Sequence, residues 1–150
     1  MNERDRQMKP MTRQQALDKL AGAEYGRVVF TQHAMPAIRP VNHLLSDGRI
    51  IIFAHDDSAI AARADHGRGN VVVYEADQID PRTRTGWSVT VTGLARLVED
   101  PALIARYQQA LRPWIAGAIG IVIGIGTDIV TGFEFTEADV GCASSATQLP

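Results

Sequence analysis

Residues 80–98 read DPRTRTGWSVTVTGLARLV. A polar loop carrying Arg82 and Arg84 feeds a stretch in which Val89, Val91 and Leu94 are interrupted by Thr90, Thr92 and Gly93. That alternation predicts a half-buried strand. Trp87 and Ser88 stand at its expected mouth. An aromatic ring, a hydroxyl and two guanidinium groups are thus expected where a rigid scaffold meets a loop, and binding groups concentrate at such junctions.

Upstream of this stretch, Val71–Glu75 is β-branched and aromatic and predicts a strand, with 77–85 as a loop. Ala37–Leu45 and Arg49–His55 are two more expected strands, joined by Ser46-Asp47-Gly48. An Asp-Gly step between apolar runs is the strongest short hairpin signal. Arg27–Thr31 is a further strand. Thr12 predicts a cap for a helix over Arg13–Ala23, with Gln15 at the capping-box position and Ala16, Leu17 and Leu20 on one face. Ser58–Ala64 predicts a short helix and Asp100-Pro101 opens another, since proline suits the first helical position. Ile119–Ile125 and Val130–Phe135 complete the strands. Residues 1–11 are expected to be disordered, 12–136 to form one domain and 137–150 to be a polar tail. Strands linked by hairpins rather than alternating with helices predict a mainly β (α+β), antiparallel barrel or sheet with short helices.

Composition narrows the function. The 150 residues are 45% hydrophobic and 21% charged, with a formal net charge of −2. Nucleic-acid binding needs a concentrated positive surface, so no nucleic-acid partner is expected. Among the basic residues only Lys9 and Lys19 are lysine. Arginine's planar fork suits a local anion site. Cys142 is the only cysteine, which excludes an intramolecular disulfide and the usual zinc spacings. Residues 1–10 hold no apolar run, and the apolar segment Trp114–Ile125 is about half the length that spans a bilayer. A cytoplasmic protein with no membrane partner is expected.

Pairing through the Asp47-Gly48 turn would set Ser46 against Arg49, Asn42 against Phe53 and Pro40 against His55. Alternation then puts Asn42, Phe53 and His55 on one face and Arg39, His43 and Ala54 on the other. His43 and His55 therefore do not form a metal pair. Arg39 arrives near the start of the Ser58 helix, where backbone N–H groups favour an anion; a salt bridge to Asp56 or Asp57 is the alternative. His33 and His66 occupy turn-like, exposed contexts. Glycines 117, 120, 124 and 126 fall within an apolar strand rather than between strand and helix, and predict close backbone approach to a partner chain or a flat ligand.

The order of these pieces resembles a known family. The Arg27–Thr31 strand, Arg39-Pro40-Val41-Asn42-His43, Ile52-Phe53-Ala54-His55 with Ser58, the Gly86–Val89 stretch and Ile129–Phe133 are together similar to the pyridoxamine-5′-phosphate-oxidase-like flavin-binding proteins, over residues 13–136. The resemblance implies a split β-barrel forming a homodimer, with cofactor sites built across the subunit interface. It implies that Arg39, Pro40, Val41, Asn42 and His43 line the flavin edge, that Phe53, Ala54, His55 and Ser58 approach the ribityl phosphate, and that Trp87 and Ser88 lie near the ring system. The family places basic residues just after the position of Ser58, where Ala59 and Ile60 stand here. Arg63 or Arg39 would have to replace them, because a desolvated phosphate needs charge-assisted hydrogen bonds.

The function implied is an FMN-dependent oxidoreductase acting on a small-molecule substrate, with His43 and His55 as proton donors by residue type. The alternatives are a non-catalytic protein that carries or senses a flavin or has lost the cofactor, or one that binds a deazaflavin or heme in place of FMN. True pyridoxamine-phosphate oxidase activity ranks below both, since 142–150 is small and polar and lacks that enzyme's substrate-binding segment.

Overall fold

The computed structural model describes residues 6–54, 60, 69–112 and 121–137. The described elements are, in order, β1 (Arg6–Pro10), α1 (Arg13–Gly22), β2 (Tyr25–Gln32), β3 (Met35–Asn42), β4 (Leu44–Ser46), β5 (Arg49–Ala54), β6 (Asn70–Asp80), β7 (Thr85–Leu97), α2 (Pro101–Ala110), β8 (Ile121–Gly126) and β9 (Ile129–Glu137). The nine strands form one sheet in the order β3-β2-β6-β7-β8-β5-β4, with β9 joined to both β7 and β1. Every pairing is antiparallel. This is the split barrel that the resemblance implied.

The long strand over 85–97 is the trunk of the fold. Its first part pairs with β9, from Gly86↔Phe135 to Thr92↔Ile129, and its last part with β8, from Ala95↔Ile125 to Leu97↔Ile123. Gly93 sits where the two partners part. A Cβ there would strike the Gly126 carbonyl oxygen, so the branch needs a bare α-carbon. The inward residues Val89, Val91 and Ala95 are fully buried, while Ser88, Thr90 and Thr92 face the other side.

Several expectations change. The Asp47-Gly48 turn forms, with φ of 51° and 73°, and pairs Ser46↔Arg49 and Leu44↔Ile51 as expected. The pairing stops there. Residues 35–42 pair with β2 instead, from Tyr25↔Asn42 to Gln32↔Met35, so Asn42 does not face Phe53. Two non-glycine residues in the left-handed region, His33 (φ 52°) and Ala34 (φ 61°), make this second turn. Neither is a turn residue by type, so the sequence carries little sign of it. The loop expected at 77–85 is mostly strand: β6 runs on to Asp80, and Trp87 pairs with Gln78 inside the hairpin rather than standing at its mouth. Within the stretch 1–11 expected to be disordered, residues 6–10 form strand β1. Residues 6–10 pair along the edge of β9, and Met11 N–H continues the contact to the Gly132 carbonyl at 2.7 Å.

The barrel interior is filled by Val28 and Phe30, Ile50 and Ile52, Val72, Tyr74 and Ala76, Trp87, Val89 and Val91, and Ile123 and Ile125. Helix α1 lays Ala16 and Leu20 against this core, and its capping box between Thr12 and Gln15 forms as expected. Helix α2 covers the opposite side of β5 and β8, where Tyr107 packs with Ile51 and Val122. No helix among the described residues is long and apolar enough to cross a membrane.

Candidate functional site

The hydrogen-bonded order ends at β3 on one side and at β5-β4 on the other. These ends approach each other without pairing, and that gap is the split of the barrel. Val41 from β3 and Ala54 from β5 both pack on the main core from the two sides of the gap. The two segments assigned to a cofactor, 39–43 and 53–54, therefore lie on its two lips. His55, Ser58 and Arg63, the other residues expected to bind, fall outside the described residues, as do Asp56 and Asp57.

The side chains along the lips have different roles. Arg39 is exposed, with its guanidinium 5.9 Å from the Phe30 ring centroid and Nη1 donating to the Ile38 carbonyl at 2.9 Å. Among the described residues the ion pairs are Arg27 with Glu75 and Asp77, and Arg106 with Asp47, so no carboxylate there claims Arg39. Pro40 points to the outer face, opposite Arg27. Asn42 donates from Nδ2 to the Arg112 carbonyl at 2.6 Å, tying the lip to the end of α2. Phe53 turns away from the interior and packs in the α2 cluster.

His43 is 5% exposed and held from both ring nitrogens. Nε2 lies 2.8 Å from the Leu20 carbonyl and Nδ1 lies 2.5 Å from the Tyr74 hydroxyl. Burial holds its pKa below the ordinary value, partly offset by the bond to Leu20. A histidine so placed anchors α1 to the barrel and has no ring nitrogen left for a ligand. Tyr74, on the strand expected over Val71–Glu75, is what fixes it. Burial raises the Tyr74 phenol well above the usual tyrosine range.

Trp87 is 8% exposed within the main core, whereas Ser88 faces outward opposite Asp77 and Phe133. Trp87 belongs to the same core cluster as Val41 and Ala54, whereas Ser88 points away from it, on the outer face of β7. The glycines read as close approaches to a partner or ligand are explained internally where they are described. Gly124 accommodates the Arg49 guanidinium and Gly126 lies against Gly93. Ile60 is 4% exposed in the main core, so position 60 serves packing. This accounts for the absence of a basic residue there. The donor set fits an anion at the lip through Arg39, flanked by the apolar surfaces of Val41 and Ala54 that a planar ring system needs.

The chain matches the family model described as pyridoxamine 5′-phosphate oxidase over residues 12–120. It is 50% identical over 131 residues to the uncharacterised protein Rv0080 of Mycobacterium tuberculosis, covering 86% of each chain. Its fold is similar to the crystal structure of a candidate pyridoxamine 5′-phosphate oxidase from Corynebacterium glutamicum, with a TM-score of 0.73, 29% identity, and 87% of this chain and 99% of that one covered. It is also similar to an FAD-binding protein of Mycobacterium smegmatis, with a TM-score of 0.69, 25% identity, and coverage of 85% and 99%. Sequence and fold agree, and the chain belongs to the pyridoxamine 5′-phosphate oxidase family.

Proposed function

We propose that this chain binds a flavin nucleotide along the split of its barrel and works as a flavin-dependent oxidoreductase on a small molecule. The observation that carries the reading is the meeting of residues 39–43 and 53–54, distant in hydrogen-bond order, on the two lips of one gap. The similarity to an FAD-binding protein supports a flavin in that place. A bound flavin supplies hydride and single-electron transfer, and the protein orients it and excludes water. Arg39 would hold its phosphate, Val41 and Ala54 would pack on the ring, and Pro40 would shape the edge. FMN is the form expected from the resemblance; FAD, bound by the relative, is the second reading.

Two copies are proposed to pair through the outer face of β3-β2-β6-β7-β9. That face exposes Ile38 (54%), Tyr25 (46%), Val71 (61%) and Ile129 (61%). Large apolar side chains exposed together on one face suit an interaction surface. Ser88 lies on it, so a second copy is the route by which Ser88 reaches a flavin at the split.

The test is the spectrum of the purified protein, with release of the chromophore on denaturation and its identification by mass. FMN, FAD, a deazaflavin and heme are separate outcomes of that measurement. A colourless protein that takes up no flavin in a titration overturns the reading. Replacing Arg39 with Ala is expected to weaken flavin binding by about 10- to 100-fold, the worth of one charge-assisted hydrogen bond. The far-UV circular dichroism should not change.

A further inference from the structure

Midway along the same outer face lies a compact charged cluster. Arg27 Nη1 is 3.0 Å from Glu75 Oε1 and 3.6 Å from Asp77 Oδ2. The register builds it: Arg27 pairs with Glu75 across β2 and β6, and Asp77 follows two residues on, on the same face. One guanidinium serves two carboxylates, leaving one negative charge in excess. The three side chains retain 39%, 27% and 32% of their exposure, so water now solvates that excess.

Four strands bring groups to face Glu75. Arg27 and Tyr25 come from β2 and Asp77 from β6. Thr90 and Ser88 stand across β7, and Pro40 lies beyond Arg27 on β3. Only Arg27, Tyr25 and Asp77 among these are charged or titratable, so nothing further on those strands neutralises the excess.

We infer that proton uptake by the Arg27–Glu75–Asp77 cluster governs the pairing of two copies through this face. The inference rests on the pairing proposed above. A second copy laid on the face strips water from the cluster, and an uncompensated buried charge is strongly unfavourable. A two-fold contact also brings the same acidic excess from both sides. One proton per copy makes each cluster neutral, with a carboxyl able to donate to its neighbouring carboxylate while Arg27 pairs with the latter. Glu75 is the acceptor. Its carboxyl is already pushed up to about 7, first by burial and then by Asp77, with Arg27 opposing.

The sign follows from linkage. If the pair binds more protons than two separate chains, association strengthens as pH falls and weakens as it rises through neutrality. Sedimentation of the protein as purified, between about pH 6 and pH 8, should show the dimer Kd rising at least about tenfold with pH. Glu75→Gln should pair tightly with a flat profile. Asp77→Asn should flatten it too, which keeps the test open if one variant folds poorly. Dilution calorimetry in buffers of different ionisation enthalpy reads the proton uptake directly on the unaltered chain. A dimer whose Kd ignores pH, or a Glu75→Gln protein that keeps the full pH dependence, overturns the inference and leaves the pairing intact. A monomer throughout the range overturns the pairing itself.

Discussion

The His43 ring is fixed in one tautomer by its neighbours. The Leu20 carbonyl can only accept, so Nε2 carries the proton, and Nδ1 accepts from the Tyr74 hydroxyl, which also lies 3.2 Å from the Val41 carbonyl. Because burial lowers its pKa in the folded chain, the unfolded chain binds the proton more readily. Stability from this residue is therefore complete above the ordinary value of 6.5 and is lost as pH falls below it, until the depressed folded pKa is reached. His43→Gln should be less stable than the parent by roughly 1–3 kcal/mol at neutral pH, from the broken hydrogen bonds. The difference between the two should shrink on acidification by at most about 1.4 kcal/mol per pH unit. Urea unfolding at a series of pH values checks both statements. The comparison isolates His43, since the opposite trend from Glu75 is common to both proteins.

Strand β7 makes the clearest claims at the level of elements. Gly93→Ala would press a methyl group into the Gly126 carbonyl and is expected to cost about 1–3 kcal/mol or more, because overpacked backbone cannot shift cheaply. Gly22, at the end of α1, has open space where an alanine methyl would stand, with no atom within 4 Å. Gly22→Ala should therefore be neutral or stabilise by up to about 1 kcal/mol. Denaturant midpoints with unchanged m-values would confirm the opposite signs. The Thr12–Gln15 box and the Asp47-Gly48 turn were legible because each acts through its own few residues. The His33-Ala34 turn was not legible, since there the β2–β3 ladder holds ordinary residues in a backbone they disfavour. Residues 77–80 misled in the same way: a polar string is drawn into strand by pairing with 85–88.

For the molecule as a whole, hairpin-linked strands and the order of short motifs were enough to reach the split barrel. The site was legible only as separate segments. Nothing local says that 35–42 leaves β5 for β2, and that choice sets the two lips against each other across an unbonded gap. Nor does it show that Glu75 and Asp77 share Arg27, which depends on the β2–β6 register. The end strand has one more property. Pro36 and Pro40 stand opposite Thr31 and Arg27 on β2, and a proline has no N–H to offer that ladder. Both nitrogens therefore turn to the open edge, which loses two of the donors an incoming strand would need. A Pro36→Thr variant, outside the 39–43 lip, should keep its binding properties yet scatter light sooner on warming, as the freed edge recruits another. The prolines let the barrel keep an open seam without inviting the growth of aggregates from it.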